Sequence, residues 1–439
     1  MTPFYSAIFP SGGRSNVVSN PLCMEGVVKR RAAAVACFVL GTTGAVAALW
    51  PALAPARGPD RTTVPPLRLD APLPQWLAPG ARVRVSGWAG AGVRVRLRSR
   101  GAVLATARAG RLGRFTLRVR APARRGRYVL ALAAGDRRAP VRPLLVRPVV
   151  LAAGGDVNLG DRIGDAIAAH GPGHPWTGVA PLLRGADLAL VNLECVVSNR
   201  GAPVSGKQYV FRGSPGSLAG AARAGVDVVS VANNHTLDYG TDAFLDTLAH
   251  AHRAGLRAVG GGADLAAARR PAMVVRGGLR IAVLGYSDVR PLGFDAAKGK
   301  PGTARADRTW IAEDVVRARR RADAVVVYFH WGIELARTPD SRQRTFADAA
   351  LRAGASVVLG AHPHVLQPLE RRGRKVVAWS LGNFVFGASS PGTSASGILL
   401  VGLGADGVRS AELVPARIES FRPVVEPPRA AAVLRRLGL

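Results

Sequence analysis

Apolar residues in this chain fall into two rhythms. From Arg68 to Arg147 they alternate with arginine, as in Arg82–Val85 (RVRV), Val93–Arg98 (VRVRLR) and Phe115–Arg120 (FTLRVR). A period of two sends one residue type to each face of a strand, and Gly and Pro turns separate the runs at short intervals. Residues 68–147 therefore read as a small antiparallel β-sandwich, apolar inside and arginine outside. From Pro148 the texture becomes one of alternating strands and helices. Helices are expected at 161–170, 215–224, 242–254, 309–321 and 341–353. The strands expected between them are 149–156, 186–194, 226–233, 324–330 and 355–360. Hairpins turn at Gly277-Gly278, Arg372-Gly373 and Asp406-Gly407. A β/α first half followed by antiparallel strands predicts an α/β body of two packed sheets flanked by helices, over residues 148–422. Residues 423–439 read as a C-terminal tail, a Pro-rich stretch and then a short basic helix.

The short apolar strands share one feature at their ends. VVLAAGGD ends in Asp156, with Asn158 beyond it, and DLALVNLE ends in Asn192 and Glu194. VDVVSVANNH ends in Asn233, Asn234 and His235, AVVVYFHWG carries His330, and ASVVLGAHPH ends in His362 and His364. Carboxylate, amide and imidazole groups are metal-competent and acid/base-competent. Ligands of open α/β sheets gather beyond the carboxyl ends of the strands. Recurrence at five strand ends favours one shared polar site over unrelated loop residues. An extended backbone through His362-Pro363-His364 would point both imidazoles the same way.

Charge and termini narrow the partners. The formal charge is +32, with 60 Lys and Arg against 28 Asp and Glu, and the sandwich alone holds 19 Arg against Asp70 and Asp136. Such an imbalance asks for a polyanionic neighbour. Residues 1–31 read as a cytoplasmic tail that ends in Lys29-Arg30-Arg31. The charge-free run that follows is long enough to span a bilayer, and its basic flank keeps the N-terminus inside. This predicts a transmembrane signal anchor at 32–54 and a linker at 55–67. Pro55 argues against cleavage after Ala54. The main domains then lie outside the cytoplasm, which removes nucleic acid as a partner. Anionic membrane surface and anionic polymer are left. Of Cys23, Cys37 and Cys195, only Cys195 lies in the folded body, so no disulfide framework is available.

With these segments in place, residues 148–420 resemble the CapA family of poly-γ-glutamate capsule biosynthesis proteins, relatives of the calcineurin-like metallophosphoesterases. The resemblance rests on GDVNLG (155–160), NLE (192–194), KQYVFRGSP (207–215), ANNHTLDYG (232–240), HWGIE (330–334), GAHPHV (360–365) and SLGNFVFG (380–387). It implies a four-layer metallophosphoesterase-like fold holding one or two divalent ions (Mn, Mg, Fe or Zn). Asp156, Glu194, Asn234, His330, His362 and His364 would be ligands, with Glu194 in the bridging position. His235 would be the catalytic, non-ligand histidine. Lys207, Arg212, Asn233 and Asn383 would contact substrate. Superfamily members open with Asp-x-His, whereas this chain has Asn158, a weaker ligand for a transition metal.

The expectation is a single-pass, extracytoplasmic enzyme of anionic surface-polymer biosynthesis, a metal-dependent phosphoesterase-like hydrolase or transferase. It would meet the polymer or its precursor, the anionic membrane and membrane polymer-synthase subunits. The alternative is a non-catalytic module whose pocket and Arg-rich sheet hold a polyanion for such a synthase. Asp238 and Tyr239, after the Asn-His motif, either orient His235 through hydrogen bonds or, the preferred reading, form the turn before the next helix.

Overall fold

The computed structural model describes residues 65–437. The expected tail (1–31), anchor (32–54) and most of the linker lie outside the described residues, as do Cys23 and Cys37. Among the described residues no helix is long and apolar enough to cross a membrane.

Two large sheets form the body. In the first, the strands Arg257–Val259, Val228–Ser230, Leu188–Leu193 and Val149–Val157 run parallel. Ala395–Gly404, Gly407–Glu419 and Arg422–Val424 extend it antiparallel. In the second, Leu279–Ser287, Ala324–His330, Val357–Ala361 and Lys375–Ala378 run parallel between two antiparallel edge strands.

The strands are apolar on both faces because both faces are covered. Leu151 and Ala153 point into the core between the sheets, whereas Val150 and Ala152 point under the helices of the first sheet. Ile281 and Val283 face the same inner core, and Ala282 and Leu284 face the helices Arg308–Arg319 and Ser341–Ala353. The result is helix, sheet, sheet, helix, the four layers expected of residues 148–422.

Ahead of the body, a three-stranded sheet (Arg68–Leu69, Arg82–Trp88, Arg114–Arg120) faces a five-stranded one built around Gly126–Ala134 and Arg137–Val146. Along Arg114–Arg120 exposed and buried residues alternate strictly, so Phe115, Leu117 and Val119 fill the sandwich. Each contributes ~1.5–3 kcal/mol by leaving water.

The sandwich caps the amino ends of the body's parallel strands. Ala78 N–H donates to Gly277 O at 2.8 Å and Ala405 N–H to Pro79 O at 2.9 Å, both at hairpin turns on that side. Gly277 has φ +52°, and a Cβ there would lie 2.0 Å from the Trp76 ring. At the seam Arg147 forks onto Asp187 at 2.7 and 2.8 Å and stacks on Trp76 at 3.8 Å. Residues 61–439 form one compact unit, and its inner core runs without a break from sandwich to body.

The C-terminal stretch is a correction. Arg422–Val424 is a sheet-edge strand, and Val425 and Val433 are buried in the outer core of the first sheet. The short helix expected there is Pro427–Leu437, and its Val433 is buried in that core, which joins it to the body.

Candidate metal centre

The carboxyl ends of both parallel sheets open onto one rim. Strand register brings the polar ends together. Asp156 lies beside Asn192 on one side and Asn383 on the other, and His330 lies beside Ser287 and Ala361. Asp156, Glu194 and His330 are fully buried, and His235 and His362 are each 5% exposed.

Ligand-type atoms of Asp156, Glu194 and His330 all lie within 4.8 Å of one another, and so do those of Glu194, His362 and His364. The two triads share Glu194, where the resemblance puts a bridging carboxylate. His330 Nε2 is 3.4 Å from Glu194 Oε1 and 2.7 Å from Asn234 Oδ1. His364 Nδ1 is 3.3 Å from Asp156 Oδ2, and Asn192 Nδ2 donates to Asp156 Oδ1 at 2.8 Å. The structure thus gathers Asp156, Glu194, Asn234, His330, His362 and His364 from positions scattered along the chain.

These donors fit divalent cations. Glu194 Oε1 and Oε2 and His362 Nδ1 are buried without any hydrogen-bond partner. Unpaired buried polar atoms are costly and call for an occupant. Burial, then the charge of Asp156, holds the Glu194 carboxyl well above its ordinary range. Burial raises Asp156 too, but the His364 hydrogen bond and charge, with Asn192 and the His362 amide, bring it below its usual value. Burial, followed by the neighbouring histidines, pushes His330 well down and His362 down to about 4. Both imidazoles are neutral at physiological pH, the form that ligates.

The convergence of His362 and His364 has a different cause from the one expected. The strand ends at Ala361, and His362 and His364 take φ +96° and +58°. Both sit in the left-handed region, which costs non-glycine residues ~1–3 kcal/mol each. Pro363 bars a helical turn, so the chain kinks at both histidines, and their ring centroids come within 5.9 Å. Leu335 N–H donates to Pro363 O at 2.8 Å and pins the kink.

His235 stands at the edge of the cluster, its Nε2 4.0 Å from Glu194 Oε1. Its Nδ1 lies 2.7 Å from Asp238 Oδ2, and Phe211 stacks on the ring at 4.1 Å. Asp238, read from sequence as a turn residue, is fully buried and also accepts from Phe211 N–H at 2.8 Å. It is the positioning acid for His235. An Asp three residues past a His was the available signal, but only the fold shows the turn closing inward.

The residues expected to contact substrate are occupied otherwise. Lys207 Nζ donates to Asn234 O at 2.6 Å and pairs with Asp238 Oδ1, and it sits 3.0 Å from His235 Nδ1, whose proton goes to Asp238. Arg212 donates to Arg200 O and Gly201 O and stacks on Tyr239 at 3.5 Å. Asn233 donates to Asn192 Oδ1 and Leu193 O and accepts from His235 N–H. Asn383 Oδ1 lies 2.8 Å from His364 Nδ1, and its amide donates to Gly387 O and Thr393 O. Lys207, Asn233 and Asn383 are thus tied into the frame of the site, whereas Arg212 uses Nη2 on the protein and leaves its buried Nε without a hydrogen-bond partner. Asn158 turns away as well: Oδ1 accepts from Gly160 N–H and Nδ2 donates to Asp161.

Residues 150–388 match the family described as Bacterial capsule synthesis protein PGA_cap. The chain belongs to this family. Every member of the two donor triads lies inside the matched window, and the sandwich lies outside it. Among relatives in the family, the chain is 32% identical over 271 residues to the PGA biosynthesis protein CapA of Bacillus subtilis (strain 168), covering 61% of this chain and 71% of that protein. It is 28% identical over 292 residues to the capsule biosynthesis protein CapA of Bacillus anthracis, covering 65% and 71%. Among solved structures, a 5'-nucleotidase precursor from Thermus thermophilus superposes with a TM-score of 0.34 at 16% identity, over 66% of this chain and 57% of that one. A superposition that loose carries no chemistry across. Cys195 is buried, its thiol pushed up to about 12, chiefly by burial, and accepts from Leu159 N–H, a packed residue and not a nucleophile.

Proposed function

We propose that this family member is a metal-dependent hydrolase or transferase. It acts on a phosphoester or related bond in the making of an anionic surface polymer of the poly-γ-glutamate type. Its N-terminal segment tethers it outside the cytoplasm, near membrane polymer-synthase subunits. The observation that carries the catalytic reading is the pair of donor triads sharing Glu194, with its two carboxylate oxygens buried and unpartnered. Asp156, Glu194 and His330 would hold one ion. Glu194, His362 and His364 would hold the other, with Asn234 beside His330. When bound, paired divalent cations supply Lewis acidity and offset charge developing on phosphate-type oxygens.

The chain's own residues supply the rest. Asp238 fixes the His235 ring through Nδ1, so Nε2 faces the pocket and can take up and return a proton. Lys207 balances the Asp238 charge, and the Phe211 ring keeps water from the imidazole face. A polyanion-holding role without chemistry draws support from Asn158, which is turned out of the ligand set. It fits less well with the sandwich, which is separated from the pocket by strands such as Val149–Val157, ~30 Å long at 3.3 Å per residue.

The deciding experiment uses residues 61–439, which form one compact unit. Bound metal is measured by elemental analysis, and phosphodiester and phosphomonoester substrates are assayed. Wild type should carry one to two divalent ions per chain, as the triads suggest, and turn over. Activity that survives both Asp156→Ala and His364→Ala would overturn the catalytic reading. Polymer binding that ignores chelators, with no turnover, would favour the binding role.

A further inference from the structure

The sandwich has two ends with different surroundings. One meets the body through Pro79 and Arg147. The other collects the connections that leave Trp88, Arg108 and Ala134, as the pairings Trp88↔Arg114, Arg94↔Arg108 and Val95↔Ala134 require. Ala89 N–H donates to Gly113 O and Gly92 N–H to Ala109 O, which ties two of these connections together.

This far end combines two features that folding does not need. Leu112, on the tight turn closed by the Gly113 N–H to Gly110 O bond, is 83% exposed. At the strand ends and turns of this same side Arg94, Arg111, Arg137 and Arg138 are exposed. Arg94 faces Arg108 directly across the strand pair, where like charges are destabilising. Asp136 is the acid of the neighbouring turn, and the sandwich's other acid, Asp70, is held by Arg114.

The chain also enters here. Pro65, the first described residue, accepts from Arg137 at 2.9 Å, and a Cβ on Gly113 would meet its ring at 3.2 Å. The expected anchor ends at Ala54. The ten residues 55–64 can bridge at most about 35 Å at ~3.5 Å each. A soluble polyanion would satisfy the arginines but has no use for an exposed leucine. A phospholipid surface uses both, apolar at the acyl boundary and anionic at the headgroups.

We propose that this end of the sandwich docks on an anionic phospholipid surface, Leu112 entering the acyl boundary while the arginines meet headgroup phosphates. The choice of lipid rests on the tethered reading. The orientation that follows points the metal centre away from the bilayer, about 50 Å out along the strands Arg82–Trp88 and Val149–Val157. A long polymer could then be handled clear of the surface.

The test is co-sedimentation of residues 61–439, which lack the apolar run, with phosphatidylcholine vesicles with and without 30% phosphatidylglycerol, taking that fraction as roughly that of an anionic leaflet. Binding should require phosphatidylglycerol and weaken with salt. It should fall roughly fivefold for each arginine removed, about a hundredfold for Arg111→Gln/Arg137→Gln/Arg138→Gln. Leu112→Ser should weaken it by a salt-independent factor. Circular dichroism checks that the variants fold. Equal binding to both vesicle types, a triple variant that binds like wild type, or binding to soluble polyglutamate but not to vesicles would each overturn the proposal. Carbonate extraction of the full chain reports the tether separately, so the two readings fail independently.

Discussion

His235 Nδ1 and Asp238 Oδ2 lie 2.7 Å apart in a closed turn, with the other Asp238 oxygen taken by Lys207. The acid fixes which imidazole nitrogen faces the metal centre. Asp238→Asn keeps the volume but removes the charge that holds the Nδ1 proton in place. Turnover should fall ~10²–10⁴-fold, with bound metal unchanged. Loss of metal in parallel with activity would assign Asp238 a purely structural role.

Glu194 destabilises the metal-free fold. Its folded-state pKa stands well above 4.5, for burial first and the Asp156 charge second. A raised pKa gives stability that is full below about 4.5 and is lost as pH rises through the folded value. Glu194→Gln should therefore raise the melting temperature of metal-free protein at neutral pH, by ~1 °C for each kcal/mol recovered in a unit of this length. It should also abolish the stabilisation that added metal gives to wild type. A drop in melting temperature of the metal-free variant would show that the carboxylate stabilises without metal.

His362 has the opposite sign. Its pKa is depressed from 6.5 to about 4 by burial and then by His364. Between those values the unfolded chain binds a proton that the folded one does not. The stability contribution is complete above 6.5 and is lost as pH falls to about 4. In that window His362→Asn, which tolerates the left-handed backbone, should reduce the slope of stability against pH by up to about 1.4 kcal/mol per unit. Urea titrations at stepped pH measure it, and an unchanged slope would refute the assignment.

Arg147 and Asp187 are each 10% exposed in side chain and joined by two hydrogen bonds. Removing one partner of a buried pair costs ~3–5 kcal/mol. Arg147→Ala should lower the urea midpoint accordingly. Turnover of the folded fraction should hold, since the pair lies at the amino ends of the strands and the metal centre at the carboxyl ends. Loss of turnover without loss of stability would show coupling between the ends.

Much of this was legible in the sequence because it is periodic. Alternating Arg and Val require two unlike faces, and the helix Ser341–Ala353 matches its expected bounds because Asp340 caps it and Gly354 ends it. The strand-end side chains were legible too, since parallel strands bring their carboxyl ends to one rim. What one-dimensional pattern did not reveal was the use of each polar atom. Lys207 and Asn233 carry no local sign of their partners, which lie 27 and 40 residues away along the chain.

The sequence by itself determined the elements, the four layers, the Arg-coated sandwich and the identity of the metal-type donors. Those follow from local periodicity and side-chain chemistry. Only the tertiary structure decided that His362 and His364 meet through left-handed backbone, that Asp238 turns inward and that sandwich and metal centre occupy opposite ends. Long-range contacts set backbone strain and hydrogen-bond partners, and no local pattern encodes them.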